Sequence, residues 1–244
     1  MKGLIAVPVY NEVDNLSRVI AALRARFSPK DLLIIDDGST DGTHRILVEA
    51  GVPYMRHPVN LGYEEALRTG MVHALNEGYE FVVFFDGDGQ HRVEDLEKII
   101  RAFDQDPCDL IVGSRYKCQA AHRPSVRSLI TKLFSGLTST LAGTRITDVT
   151  CGLKLISRDF IPVALQLPTE DMHAEFIVAL SFCGARIREE DIIILPRTEG
   201  ESMYGLSKAF LYPLKTLLCL AGSLFFLKRL KLSGSGAYSH GPAK

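Results

Sequence analysis

The sequence predicts an α/β fold in which a doubly wound, mostly parallel sheet is flanked by helices, with an apolar helix near the C-terminus. Two observations carry this expectation. Four short apolar runs, residues 4–9, 32–35, 81–85 and 110–112, are β-branched or aromatic and nearly unbroken, as parallel strands buried on both faces require. Between them lie stretches whose apolar residues recur at helical spacing, so strand and helix alternate through about residue 112.

The first run ends in Val7-Pro8-Val9-Tyr10-Asn11-Glu12. It reads as a strand and not a leader peptide, because no small-residue cleavage site follows it. Residues 15–27 put Leu16, Val19, Ile20 and Leu23 on one helical face. The second strand leads into Asp36-Asp37-Gly38-Ser39-Thr40-Asp41-Gly42, where residues 39–43 supply caps for a helix over 42–51 and Gly51 stops it. Helices over 63–78 and 93–103 flank the third strand. Beyond Lys117 the pattern loosens: 117–124 reads as a basic loop, 125–141 as a long helix, and 175–183 as a helix between strands at 154–156 and 192–195.

Residues 209–227 are apolar except for Lys215. Pro213 and Lys215 weigh against a spanning helix, and Lys215, Cys219, Gly222 and Ser223 share one stripe. A helix lying on a membrane surface is expected, with Lys228, Arg229 and Lys231 meeting anionic headgroups; a core helix is the alternative. The chain therefore divides into an α/β domain (1–208), this apolar segment (209–231) and a Gly/Ser-rich disordered tail (232–244). A net charge of -1 gives no global field for nucleic acid. The five cysteines are scattered without a CxxC, which reads as buried thiols in a reducing cytoplasm.

The chemistry concentrates at strand ends. In FVVFFDGDGQH an apolar strand runs straight into Asp86-Gly87-Asp88, followed by Gln90. Ligands of parallel sheets sit beyond the carboxyl ends of strands, and hard oxygen donors at alternate positions suit Mg²⁺ or Mn²⁺ bridging a diphosphate. A helix cap would explain one aspartate but not the pair. An EF-hand loop is excluded because His91 stands at its glycine position and a strand, not a helix, precedes. Asp36 and Asp37 cannot attract phosphate, but can accept from a ribose hydroxyl or a base N–H; Pro8 and Tyr10 can pack on a base face.

VPVYNE, IIDDGSTDGT, NLGYEEALRTG, FFDGDGQH and VGSRY together resemble the inverting family 2 glycosyltransferases of GT-A fold. The likeness spans about residues 4–212 and is strongest to the branch of dolichol-phosphate mannose synthases and bacterial polyprenyl-phosphate glycosyltransferases, which DVTCGLKLISRDF and RTEGESMYGLSKAF also resemble. It implies a nucleotide pocket lined by Pro8, Tyr10, Glu12, Asp36 and Asp37, and a metal held by Asp86, Asp88 and Gln90. It implies that Asp88, Arg115, Arg127 and Arg197 act at the diphosphate or the acceptor phosphate, with Arg123 near the latter, and that the segment of Arg197 and Ser202 folds over the donor. The family usually has Lys after that serine; here it is Met203, and Lys208 is the candidate replacement. The implied donor is GDP-mannose or a UDP-sugar, the implied acceptor a polyprenyl phosphate, and the implied location the cytoplasmic face of a membrane. Asp148 and Glu175 would orient arginines or sugar. If either were an essential base, a glycan or other hydroxyl acceptor would be the reading instead. A nucleotidyltransferase is disfavoured because no Gly-rich basic loop follows the first strand, and a regulator on a degenerate scaffold because Asp86, Asp88 and Gln90 are all in place.

Overall fold

A computed structural model describes residues 2–117, 126–167 and 172–195 of the chain. Its strands are β1 (Gly3–Val9), β2 (Leu32–Asp36), β3 (Tyr54–Arg56), β4 (Phe81–Phe84), β5 (Leu110–Ser114), β6 (Lys154–Ser157) and β7 (Ile187–Asp191). They form one sheet in the order β3-β2-β1-β4-β6-β5-β7. Helices α1 (Leu16–Arg24), α2 (Thr43–Ala50), α3 (Tyr63–Asn76), α4 (Val93–Gln105), α5 (Val126–Ala142), α6 (Ile161–Gln166) and α7 (Ala174–Phe182) connect and cover them.

The unbroken apolar runs do what their composition requires. Every residue of β2, β4, β5 and β6 is buried, as are residues 4–9 of β1. Each large aliphatic side chain so buried contributes roughly 1.5–3 kcal/mol relative to exposure. Helix α1 buries Leu16, Val19, Ile20 and Leu23, and α4 buries Leu96, Ile99 and Phe103. Helix α7 is buried almost all round and packs against α5.

Strand order fixes where chemistry can happen. From β1 the chain winds one way through β2 and β3, then returns to place β4 on the other side of β1. The sheet thus switches direction between β1 and β4, and in sheets of this kind ligands bind beyond the carboxyl ends at such a switch point. β6 runs antiparallel to β4 and β5, with Lys154 opposite Phe84 and Val112. Its N-terminal approach, residues 151–153, therefore reaches the same edge as the ends of β1, β2, β4 and β5.

Three expectations need correction. The last strand lies at Ile187–Asp191, not at 192–195, which forms no strand and carries an isolated antiparallel bridge between Ile194 and His91. β7 is an edge strand stabilised by charge, with Arg188 bonded to Asp106 at 2.7 Å and close to Glu190, so it carries no apolar signature. The apolar residues Ile193 and Leu195 are exposed. β3 and α6 were not foreseen: all three residues of β3 are exposed, and α6 has only six residues. Residues 39–43 also do not simply cap α2: its N-cap is Gly42, Asp41 Oδ1 accepts from Thr43 N, and Ser39 and Thr43 hydroxyls accept from Asn11 N and Glu12 N of the β1 loop. The expectations for 209–231 and 232–244 lie outside the described residues.

Candidate active site

The carboxyl ends of β1, β2, β4 and β5 gather most of the described residues that the sequence singled out. Beyond β1, Pro8 is buried and Tyr10 exposed. Asn11 has φ +54 and its Oδ1 accepts from Thr40 N (2.9 Å), tying the end of β1 to that of β2. Glu12 Oε2 accepts from Asn15 Nδ2 (2.8 Å), and Asn15 Oδ1 from Arg18 (3.0 Å).

Beyond β2, Asp36 is fully buried. Its Oδ1 accepts from Ser39 N at 2.9 Å; Arg56 Nε sits 3.1 Å from Oδ2 as an ion pair whose alignment falls short of a hydrogen bond. Asp37 lies 2.7 Å from His57 Nδ1 and accepts from Leu61 N (2.9 Å) and Gly62 N (2.8 Å). His57 reaches on to Thr69 Oγ1 of α3 at 2.9 Å. Asp37 thus holds the loop that runs from β3 to α3, while Asp36 holds the turn after β2 and pairs with the last residue of β3.

Beyond β4, Asp86 Oδ1 accepts from Tyr63 Oη at 2.9 Å, and Oδ2 lies 3.1 Å from His91 Nε2. Burial pushes the Asp86 carboxyl up, but His91, Tyr63 and the nearby Lys154 outweigh it and hold it below the usual range. Burial and the Asp86 charge drive the Tyr63 phenol well up, so it stays a donor. Close approach is built in. A Cβ on Gly152 would stand 2.0 Å from Asp86 Oδ2, and one on Gly87 2.4 Å from Val9 Cγ1. Asp88 Oδ1 accepts from Gln90 N (3.0 Å), and Gln90 Nε2 donates to Leu195 O (3.2 Å), so the 192–195 segment lies along this loop.

These residues suit a divalent ion that arrives with phosphate. Asp86, Asp88 and Gln90 offer hard oxygen donors, and a carboxylate that accepts two hydrogen bonds keeps lone pairs free. Among the described residues no three His, Cys, Asp or Glu side chains gather into a cage. Mg²⁺ commonly takes one or two carboxylates and completes its shell with water and substrate phosphate.

Beyond β5, Arg115 grips Asp148: Nε to Oδ2 at 2.6 Å, Nη2 to Oδ1 at 2.8 Å, with its backbone N also on Oδ2 at 3.1 Å. Nη2 further donates to Thr150 Oγ1 at 2.6 Å. Asp148 is fully buried; burial pushes its carboxyl up, yet the Arg115 bonds and charge win and hold it low. Glu175 is buried in α7, and the neighbouring His173 is pushed down to about 3 by burial and the Lys154 charge, hence neutral. Arg127 falls in α5, with its side chain outside the described residues. Arg123, Arg197, Ser202, Met203 and Lys208 lie outside them altogether.

Tyr63, His91, Gly152, His57 and Glu189 touch or hold the site's acids without a role assigned from sequence. Tyr63 and Gly152 lay inside segments singled out as NLGYEEALRTG and DVTCGLK. Glu189, in the charged run of β7, gave no signal.

A doubly wound sheet with acidic strand ends around its switch point has the layout of an α/β ligand-binding domain. The sequence profile of the family described as "Glycosyl transferase family 2" matches residues 4–162, and the chain belongs to that family; it is a glycosyltransferase. It is 29% identical over 213 residues to an undecaprenyl-phosphate mannosyltransferase of Micrococcus luteus, covering 83% of this chain and 87% of the relative. It is 29% identical over 188 residues to a UDP-N-acetylglucosamine–dolichyl-phosphate N-acetylglucosaminyltransferase of Methanococcus voltae, covering 69% and 73%. Among solved structures, glucosyl-3-phosphoglycerate synthase from Mycobacterium tuberculosis, in complex with Mn²⁺, UDP and phosphoglyceric acid, shares the fold with TM-score 0.66 at 16% identity, covering 91% of this chain and 78% of that one.

Proposed function

We propose that the protein transfers a hexose, mannose or glucose, from a nucleotide carrier to a polyprenyl phosphate at a membrane surface. The observation that carries the choice of acceptor is the state of Asp148, one of the two candidate bases. A hydroxyl acceptor needs a carboxylate base within reach, whereas a phosphate acceptor is already ionised. Asp148 is buried, bonded through both oxygens to Arg115 and held ionised by it, which suits charge balance rather than proton abstraction. The names of the two relatives support the same acceptor class.

On this reading Pro8, Tyr10 and Glu12 line the nucleotide pocket, Asp37 reaches ribose or base, and the buried Asp36 shapes the wall behind it. Asp86, Asp88 and Gln90 hold Mg²⁺ or Mn²⁺, which when bound neutralises charge on the leaving diphosphate. Tyr63 and His91 keep Asp86 ionised and oriented. Arg115, Arg127, Arg197 and Lys208 meet phosphate oxygens. An acceptor phosphate oxygen attacks the anomeric carbon from the face opposite the diphosphate; the bond to that diphosphate breaks, the nucleoside diphosphate leaves, and the configuration inverts. The apolar run 209–227 with Lys228, Arg229 and Lys231 brings residues 1–208 to the cytoplasmic membrane face.

The test is acceptor chemistry. The full chain is assayed with a short-chain polyprenyl phosphate and with the matching polyprenol. Sugar transfer is expected to the phosphate alone; transfer to the alcohol at a similar rate contradicts the reading.

A further inference from the structure

Glu189 is a buried carboxylate in an otherwise solvated strand. Along β7, Arg188 bonds Asp106, Glu190 lies near Arg188 and Lys117, and Asp191 meets Lys98. Those pairs decorate an exposed edge. Glu189 alone in β7 is buried, 6% exposed. Burying a carboxylate costs several kcal/mol unless its oxygens are hydrogen-bonded; both oxygens of Glu189 are, although burial still pushes its carboxyl up. Oε1 accepts from Thr147 N (2.7 Å) and Asp148 N (2.9 Å), and Oε2 from Thr147 Oγ1 (2.8 Å).

All three bonds go to the two residues that present the Asp148 side chain. Residues 147 and 148 belong to no helix or strand, so no ladder fixes their backbone. Glu189 supplies the acceptors a neighbouring strand would have supplied. Thr147 is tied in turn to the end of β5, its Oγ1 lying 2.6 Å from Ser114 Oγ, one residue before Arg115. The result is a closed path from Glu189 through the 147–148 backbone to Asp148, then to the Arg115 guanidinium and back along β5.

We infer that Glu189 is a positioning residue: by holding the 147–148 backbone it sets the Asp148 carboxylate, which aims Arg115 at the phosphate that Arg115 meets. The inference rests on the role proposed for Arg115. A bidentate carboxylate–guanidinium pair has a fixed plane, so a shift of the 147–148 backbone is passed to the guanidinium instead of being absorbed.

The test is a double-mutant cycle on the full chain, with thermal melting of each variant. The variants are E189A, E189Q, R115K and E189A/R115K, assayed with GDP-mannose or UDP-glucose, whichever turns over, and a short-chain polyprenyl phosphate. E189A is expected to lower kcat/KM for the polyprenyl phosphate by roughly ten- to a hundredfold, the range usual for groups that orient a binding side chain, with KM for the nucleotide-sugar unchanged. E189Q, whose carbonyl serves the same two N–H groups, should restore most of the loss. In the R115K background E189A should cost less than about threefold, because its effect is routed through Arg115. If E189A does not melt cooperatively, E189M and E189M/R115K, which keep the side-chain volume but remove both acceptors, are compared in the same way. The same loss with and without R115K, or equal rises in both KM values, overturns the inference while leaving the Arg115 role standing. Wild-type activity of R115K removes that role, and the inference with it.

Discussion

Along one edge of the sheet, the end of β4 and the β5–β7 side hold their acids in different ways. On the first side, Asp86 keeps a quarter of its side chain exposed, is held by neutral or titratable donors, Tyr63 and His91, and is followed by the partly exposed Asp88. On the second, Asp148 and Glu189 are buried, Asp148 neutralised by Arg115 and Glu189 absorbed by backbone N–H groups and a hydroxyl. The difference separates two tasks. An acid that must meet an incoming cation keeps negative charge and lone pairs available. An acid that only sets an arginine is enclosed and bonded through both oxygens.

Four substitutions break or sharpen this contrast. Asp88→Asn carries the largest expected effect: turnover falls about 10²–10³-fold, the usual scale for losing one group that stabilises transition-state charge, while the melting temperature stays near wild type because Asp88 lies outside the core. A D88N protein that melts as poorly as a core variant would erase the distinction between the sides.

Asp148→Asn comes next and acts on stability. It strands the half-buried Arg115 charge, and breaking such a pair costs roughly 3–5 kcal/mol. The sign with pH follows from the lowered carboxyl. In the unfolded chain Asp148 titrates near about 3.9; in the fold it titrates lower, so the pair stabilises the protein above that value and loses its contribution as pH falls through the folded one. Denaturant melts from pH 7 to 2 should show wild type losing this increment at the acid end and D148N lacking it throughout. Parallel curves for the two proteins would refute the assignment.

Gly152→Ala is expected to cost about 1–3 kcal/mol as an overpacking change, and to depress turnover more than its stability loss explains, because the new methyl meets Asp86 and not a core residue. Unaltered kinetics would mean that Asp86 can move without consequence. The smallest effect is Arg45→Ala, which removes an exposed i,i+4 pair with Glu49 and should change stability by no more than about 0.5 kcal/mol with activity intact. Urea melts and initial rates measure both.

The same contrast governs what could be read without coordinates. β1, β2 and β4 are nearly pure apolar runs that end in acids, so strand positions and strand-end chemistry were visible together. So were the helical faces of Leu16, Val19, Ile20 and Leu23. On the far side β7 reads IREED, whose side chains are held by ion pairs and by one buried glutamate; no periodicity rule finds it, and the following apolar residues misdirect the reading by five positions. Tyr63 and Gly152 could be placed in motifs but not on Asp86, because contact between residues 63, 86 and 152 is set by strand order. Asp36 and Asp37 were legible as strand-end acids; their bonds to Ser39, His57, Leu61 and Gly62 were not.

The most direct test of the account is sugar transfer itself. The full chain is incubated with GDP-mannose, UDP-glucose and UDP-N-acetylglucosamine, each with a short polyprenyl phosphate, in Mn²⁺ or in excess EDTA, and the lipid fraction is analysed by mass spectrometry. One donor should yield a polyprenyl-phosphate hexose in Mn²⁺ and none in EDTA. No glycolipid from any donor, or undiminished product in EDTA, would contradict a metal-assisted transfer at the end of β4.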